Sequence, residues 1–252
     1  MTRRARLGMF AIAGPGLAAV LVIAFRGLPA FGHYHGVYGL VVNGVELSAR
    51  HATDFVTALN FDIRAFDTLG EEFILFASVL GVTLLLRVMR FEDEIYDDRE
   101  HGIYGSSDAV RVLSLLLIPI VVALGVYIVI HGVLTPGGGF QGGIVLATAP
   151  ALTVLAGRYV ELKAIAPDWA LEAAEGIGAA GYALFGLGGL VFAGVYMKNF
   201  LPAGNPGQLL SGGFMPLNSI AVGLEVAGAF LIVWTAFLDQ ALLVRPKKED
   251  DK

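Results

Sequence analysis

The 252-residue sequence contains no cysteine, which excludes a disulfide framework, a thiol nucleophile and a cysteine-ligated metal centre. Charged residues are also scarce: Asp, Glu, Lys and Arg together make up 15% of the chain, whereas 56% is hydrophobic. A soluble domain of this size needs more polar surface than these residues supply. The scarcity of charge therefore predicts an all-α integral membrane protein.

Motifs of catalysis and cofactor binding are missing as well. The sequence has no HExxH zinc motif, no GxSxG nucleophile motif and no acidic metal cluster. Its one glycine-rich string lacks the lysine and the preceding strand of a phosphate-binding loop. We therefore expect no enzymatic activity, no cofactor and no bound metal.

Gaps between charged residues locate the predicted membrane helices, since about 20 apolar residues are needed for one crossing. Proline and glycine divide the long uncharged stretch 112–157 into two helices. The gaps predict about six transmembrane helices, the first a retained helix and not a cleaved signal peptide. Their approximate bounds are 7–25, 67–86, 110–133, 140–157, 176–196 and 215–238.

The distribution of Lys and Arg predicts the orientation of these helices. Thirteen of the 17 basic residues fall in segments on the side of the amino terminus, and four fall on the other side. This bias places both termini in the cytoplasm.

A polar linker, 90–107, divides the predicted helices into two groups. We expect residues 1–100 to form a two-helix unit with a long outer loop at 27–66, and residues 101–252 to form a four-helix unit. Apolar and polar residues alternate at 51–62, which predicts extended structure in part of the loop.

The start of the second helix carries four charged candidates for an ion pathway. The apolar stretch is too short unless the helix begins near residue 67, which places Glu71 and Glu72 at or just below the membrane surface. Together with Arg64 and Asp67 they are predicted to cluster at the outer entrance. Two interpretations stay open: helix capping with ion pairing, or a cation funnel.

Two further ionisable candidates lie inside the predicted helices. Glu225 sits near the middle of the sixth helix, where a carboxylate is costly and must face the bundle or another subunit. An ion path and an interface anchor are both consistent with that position. His131, near the outer end of the third helix, is able to titrate near neutral pH, but a hydrogen-bonded interfacial histidine is commoner.

The glycine-rich turn between the third and fourth helices is the most unusual string. It comprises Pro136, Gly137, Gly138, Gly139, Phe140, Gln141, Gly142 and Gly143. One interpretation is a sharp hairpin whose glycines let backbones approach closely. The other is a broken helix start with exposed amides that line a polar cavity.

Two strings resemble known families. Residues 131–143 (HGVLTPGGGFQGG) resemble the signature of the MnhB/MrpB subunit of multisubunit Na⁺/H⁺ antiporters, and 216–218 with 224–226 resemble its last helix. Residues 62–71 (DIRAFDTLGE) resemble a segment near the carboxyl end of the large MrpA antiporter subunit, and of the MbhE-type subunit of membrane-bound hydrogenases. The chain thus looks like a fusion, which departs from the usual arrangement of these subunits.

The resemblance implies an accessory subunit of a Na⁺/H⁺ antiporter complex in the cell inner membrane, one that contributes to the ion pathway and to assembly. Its expected partners are the other subunits, the lipid bilayer, and Na⁺ and H⁺, but no nucleic acid. The alternative is a membrane subunit of a related redox-driven complex such as a membrane-bound hydrogenase.

Overall fold

A computed structural model describes residues 3–28, 32, 36–86, 107–156 and 159–243. These residues form helices joined by short connections, with no strand among them, so the predicted all-α fold is confirmed. A π-helical turn, Leu59–Ile63, joins the third and fourth α-helices. The α-helices are α1 Arg3–Arg26, α2 Val37–Arg50, α3 Phe55–Ala58, α4 Ala65–Leu86, α5 Asp108–His131, α6 Gly139–Leu155, α7 Tyr159–Ile165, α8 Asp168–Ala193 and α9 Met215–Leu243.

Four of these helices are long and apolar enough to cross a membrane: α4, α5, α8 and the Met215–Leu238 part of α9. They correspond to the second, third, fifth and sixth predicted spans. The first and fourth spans correspond to shorter apolar helices, Ala11–Arg26 and α6. Since α6 has 17 residues, it is about 25 Å long, somewhat less than the hydrocarbon core of a bilayer.

Helix α8 begins earlier than the charge gaps predicted. It starts at Asp168 and not at 176, so it includes Glu172 and Glu175. Pro167 precedes the first turn, and Asp168 lies in that turn, where the helix dipole favours an acidic side chain. The prediction treated acidic residues as the limit of the helix, whereas here they belong to its first turns.

Residues 55–62, where the alternation predicted extended structure, are helical, whereas Asp54 just before them has an extended backbone. Asp54 caps a short helix there by accepting a hydrogen bond from the Thr57 amide at 2.8 Å, and the π-helical turn continues from it. A side-chain cap satisfies an amide that a helix start leaves without a partner. This local bond starts a helix in a segment whose alternating polarity indicates a strand.

The chain divides into two compact units, residues 1–40 and 41–252. The first contains α1, an apolar helix with Pro15 in its interior. The second contains α3 to α9, so residues on both sides of the predicted boundary near residue 100 belong to one unit. The boundary itself lies outside the described residues.

Hydrogen bonds join the segment before α4 to the turn that follows α5. The amides of Thr53 and Asp54 both donate to the Val133 carbonyl at 3.1 Å, and the Thr57 hydroxyl donates to the Gly132 carbonyl at 2.6 Å. The last carbonyls of a helix have no intrahelical partner. The early segment therefore satisfies carbonyls just beyond the end of α5 and holds the α5–α6 turn in place.

Helix α9 is the centre of the second unit, and glycines bring its neighbours close to it. A Cβ atom added at Gly143 of α6 would lie 2.8 Å from the Gly223 carbonyl oxygen, and one at Gly178 of α8 would lie 2.6 Å from the Glu225 amide nitrogen. Neither backbone has room for a larger residue. Small residues at such contacts let membrane helices pack backbone against backbone.

Replacing Gly178 by alanine should therefore separate α8 from α9. We expect Gly178→Ala to lower the stability of the detergent-purified protein by about 1–3 kcal/mol, because the added methyl group overpacks the contact. The measurement is the temperature at which half of the protein is lost from the monodisperse peak on size exclusion.

Gly181→Ala is the matched control on the same helix. Its Cβ would meet the Ala221 Cβ at 3.6 Å, an ordinary contact, so the variant should be at least as stable as the parent. If both variants lost the same amount of stability, the contact of Gly178 with α9 would not be the cause of the loss.

An ion pair holds the π-helical turn to α2. The Arg50 Nε atom lies 2.8 Å from a carboxylate oxygen of Asp62, whose side chain is only 4% exposed. Burial raises the pKa of Asp62 above its ordinary value of 3.8, and the Arg50 guanidinium opposes that rise. Ionised Asp62 is thus tolerated in the folded protein chiefly because Arg50 is beside it.

The Arg50–Asp62 pair predicts that Arg50→Gln lowers the free energy of unfolding by an amount that depends on pH. The pKa of Asp62 is higher in the folded protein than in the unfolded chain, so the folded protein holds this proton more tightly. The resulting stabilisation is complete below about pH 3.8 and is lost as the pH rises through the folded pKa. Removing Arg50 should enlarge that loss, so the variant should be about 1 kcal/mol less stable at pH 7 and nearly unchanged near pH 4. Thermal unfolding across this pH range measures the difference.

The same comparison in an Asp62→Asn background is the control. With no carboxylate to neutralise, Arg50→Gln should cost the same at both pH values. A pH-dependent cost that persists in this background would assign the effect to another titrating group.

Candidate functional site

The first two turns of α4 place two adjacent glutamates in opposite environments. Glu71 is exposed, whereas Glu72 is 1% exposed. Glu72 shares its face of the helix with Thr68, four residues earlier, whose hydroxyl donates to the Asn60 carbonyl at 2.8 Å. The helical period therefore points one carboxylate outward and its neighbour into the bundle.

Glu225 is fully buried in α9, at 0% exposure. Val222 and Val226 beside it are also fully buried, and Gly178 of α8 touches its backbone. Of the two environments that the sequence allowed, the bundle interior and the surface of another subunit, the fold places Glu225 in the bundle interior.

The side chains of Glu72 and Glu225 interact with each other. All four of their carboxylate oxygens are buried without a hydrogen-bond partner of ordinary geometry in the described part of the chain. Helices α4, α8 and α9 contain no Lys or Arg in their sequences. Two ionised carboxylates in this position would repel each other in a medium of low dielectric constant. The arrangement therefore requires a proton or a cation between them.

A third buried glutamate, Glu175 of α8, lies next to this pair. It is 7% exposed, its Oε1 atom has no hydrogen-bond partner, and Glu225 and Glu172 are the charges that act on it. Sequence reasoning missed it because the predicted helix began after it. The Pro167-Asp168 start signal would have placed Glu175 two turns inside the helix.

Tyr182 fixes the position of α8 against the start of α4. Its ring is fully buried, and its hydroxyl donates to the Ala65 carbonyl at 2.9 Å. Phe61 packs against it with ring centroids 6.2 Å apart. Ala65 lies seven residues before Glu72, so this contact lies at the start of α4, about 10 Å along the helix axis from Glu72.

The predicted cluster at the start of α4 is split in the structure. Arg64 forms an ion pair with Asp67, and both side chains are about half exposed. Glu71 is exposed one turn further on, while Glu72 points inward. The structure thus brings Arg64 to Asp67 and Glu72 to Glu225.

His131 makes local contacts at the end of α5. Its Nε2 atom lies 2.7 Å from the Thr135 hydroxyl, and its ring packs on Tyr127 with centroids 3.8 Å apart. The Nδ1 atom is buried without a hydrogen-bond partner among the described residues. These contacts anchor the start of the glycine-rich turn.

Close backbone contacts account for glycines in the turn. Gly138 has φ +123°, a value that L side chains rarely adopt, and its amide donates to the Ile128 carbonyl at 3.0 Å. A Cβ at Gly137 would lie 2.8 Å from the same carbonyl oxygen, and one at Gly142 would lie 2.8 Å from the Val129 amide nitrogen. Packing between α5 and α6 therefore explains these glycines, as the hairpin interpretation expects.

Comparison with known proteins identifies a family to which this chain is similar. The family described as a domain related to the MnhB subunit of Na⁺/H⁺ antiporters matches residues 109–232, a range that runs from the start of α5 into α9. An uncharacterized protein of Methanocaldococcus jannaschii is 31% identical over 235 residues, which cover 84% of this chain and 87% of that protein.

Two solved structures have a similar fold. A chain of the archaeal membrane-bound sulfane sulfur reductase is 30% identical with a TM-score of 0.67, and the match covers 94% of this chain and 99% of that one. A chain of the Mrp complex from a Dietzia species has a TM-score of 0.66 at 21% identity, and the match covers all of this chain but 27% of that one. Both similar chains come from membrane complexes. The chain therefore belongs to the family of multi-pass membrane proteins related to the MnhB subunit of Na⁺/H⁺ antiporters.

Proposed function

We propose that this chain is a non-catalytic membrane subunit of a multisubunit complex that exchanges a monovalent cation for protons. In this proposal, the buried pair Glu72 and Glu225 binds the transported ion. The observation that carries it is a pair of carboxyl groups, buried in the bundle, that interact with each other and have no other hydrogen-bond partner among the described residues.

The free energy of burial supports a bound ion. An ionised carboxylate inside a membrane helix costs at least about 2.5 kcal/mol even on the mildest scale, and two of them also repel each other. Hydrogen bonds or a basic side chain would normally offset this cost. Since α4, α8 and α9 supply no basic side chain, a proton or a metal cation of single charge is the fitting partner.

Competition for the same oxygens provides a mechanism of exchange. A proton that binds one carboxyl group of the pair removes one of the two negative charges that would hold a cation, and a bound cation in turn disfavours protonation. The described part of the chain has no group of three or more His, Asp or Glu that could hold a metal ion. We propose that the site is occupied transiently, because exchange requires the bound ion to leave.

The start of α4 is the proposed entrance to the site. Glu71 is exposed and acts electrostatically on Glu72, so a cation attracted to Glu71 comes next to the buried pair. Arg64 offsets the charge of Asp67, and we propose that this ion pair limits how strongly the entrance retains cations. With both termini in the cytoplasm, the entrance would open on the outer face of the membrane.

The proposed role of His131 and of the turn 136–143 is structural. The contacts of His131 with Thr135 and Tyr127 are local. The glycines bring α6 against α5 and α9. By holding α6 on α9, they would support the buried pair without touching the ion.

Neutral variants of the buried pair test this proposal. We expect Glu72→Gln and Glu225→Gln each to lower Na⁺-dependent proton exchange at least about tenfold, because glutamine keeps the shape but cannot take up a proton or balance a cation. The measurement is the decay of a pH gradient on Na⁺ addition to everted membrane vesicles that contain the whole complex.

Asp108→Asn is the control, because Asp108 is 99% exposed at the start of α5 and has only a 3.8 Å contact with Arg111. It should exchange like the parent. Co-purification of the other subunits establishes that each variant assembles. Unchanged exchange by assembled Glu72→Gln and Glu225→Gln complexes would refute the proposal.

A redox-driven complex is the second candidate for the parent assembly. It is favoured by one observation: the similarity to the sulfane sulfur reductase chain extends over nearly the full length of both chains. In such a complex, electron transfer would supply the energy, and this chain would remain the membrane subunit next to the ion path.

Purification of the tagged chain in mild detergent distinguishes the two assemblies. We expect other membrane subunits to co-purify, because both similar solved chains come from multisubunit membrane complexes. Antiporter-type subunits without redox proteins, identified by mass spectrometry, would favour an antiporter, whereas iron–sulfur subunits would favour the redox-driven complex. Recovery as a folded monomer would contradict both.

A further inference from the structure

The direction of α8 places its glutamates on the side of Glu225 that lies away from the α4 entrance. Toward its carboxyl end, α8 contacts the start of α4, where the Tyr182 hydroxyl donates a hydrogen bond to the Ala65 carbonyl. One turn earlier, Gly178 touches Glu225, and earlier still, the Glu175 amide nitrogen lies 2.9 Å from the position of a Cβ on Gly228. Helix α8 therefore runs from an end marked by Glu172 toward the level of the α4 entrance.

Glu175 lies between Glu225 and that far end. It is 7% exposed with an unpartnered Oε1 atom, and Glu225 acts on it from α9. Glu172, one turn nearer the start of α8, is exposed and acts on Glu175 in turn. By the rise of an α-helix, Glu172 is about 15 Å along the axis from Tyr182.

We infer that Glu175 connects the buried pair to the exposed end of α8, so that protons reach Glu225 from Glu172 by way of Glu175. This inference rests on the proposed function and adds a second opening to its ion site. The five glutamates then form a continuous series with an exposed member at each end: Glu71, Glu72, Glu225, Glu175 and Glu172.

The packing between α8 and α9 favours a proton over a hydrated cation on the route from Glu172 through Glu175 to Glu225. A Cβ atom at Gly228 would lie 2.7 Å from the Leu171 carbonyl oxygen, so the two backbones touch beside Glu175. A hydrated cation needs more space than this contact leaves, whereas a proton needs only adjacent oxygens or one bridging water. In each step a proton leaves one carboxyl group and joins the next carboxylate, so the donor becomes ionised and the acceptor neutral.

The test compares three variants of α8 in vesicles that hold the whole complex. We expect Glu175→Gln to lower proton-driven exchange at least about tenfold, as the loss of a positioned proton donor and acceptor does. Glu175→Asp should retain a larger share of the exchange, since it keeps a carboxyl group. Asp168→Asn is the control, because Asp168 is an exposed acid on the same helix that pairs with Lys163, and it should exchange like the parent.

The outcomes separate this inference from the proposed function. Suppose that assembled Glu175→Gln complexes exchange like the parent, whereas Glu72→Gln and Glu225→Gln complexes lose exchange. That result would overturn the proton route through Glu175 and leave the proposed function intact. Parental exchange in all three would overturn the proposed function as well. An equal loss in Glu175→Asp and Glu175→Gln, with both assembled, would assign Glu175 a packing role and overturn the proton route.

Labelling of the native complex covers the case in which Glu175→Gln does not assemble. Dicyclohexylcarbodiimide reacts with protonated carboxyl groups inside membrane proteins, and peptide mass spectrometry locates the adducts. Loss of exchange in proportion to the adduct on Glu175 would support the inference. Undiminished exchange in complexes that carry the adduct, or no adduct at saturating reagent, would overturn it.

Discussion

The contact between Glu72 and Glu225 is the constraint on which the rest of the bundle depends. It places two carboxyl groups from α4 and α9 in the interior, where neither has a hydrogen-bond partner outside the pair among the described residues. Such groups destabilise a membrane protein unless something positive accompanies them. In the proposed function, a bound proton or cation offsets this cost, and its exchange is the role of the site.

Glycine packing holds α6 and α8 against α9 around that contact. Gly143 and Gly178 let α6 and α8 approach the backbone of α9 on the two sides of Glu225. Close packing excludes water, and exclusion of water strengthens every electrostatic interaction inside the bundle. The same glycines that hold the helices together thus also set how strongly the glutamates influence one another.

The segment before α4 shows how local and long-range interactions combine. Asp54 starts α3 with a side-chain cap, and Thr57 in that helix bonds the turn after α5. Residues 41–86 and 107–243 consequently lie in one compact unit. A subunit built this way carries its charged α4 entrance and its α9 glutamate in a fixed relation, which an ion site with two carboxyl ligands requires.

The sequence by itself determined the all-α membrane class, the approximate helix bounds and the family, because apolar length, charge gaps and a glycine-rich signature are properties of neighbouring residues. It also marked Glu72 and Glu225 as costly carboxylates, since burial cost depends on membrane depth. The tertiary structure decided that these two meet and that Glu175 joins the series. Those choices depend on which helix faces which, and contacts between residues fifty or more positions apart leave no periodic trace in one sequence.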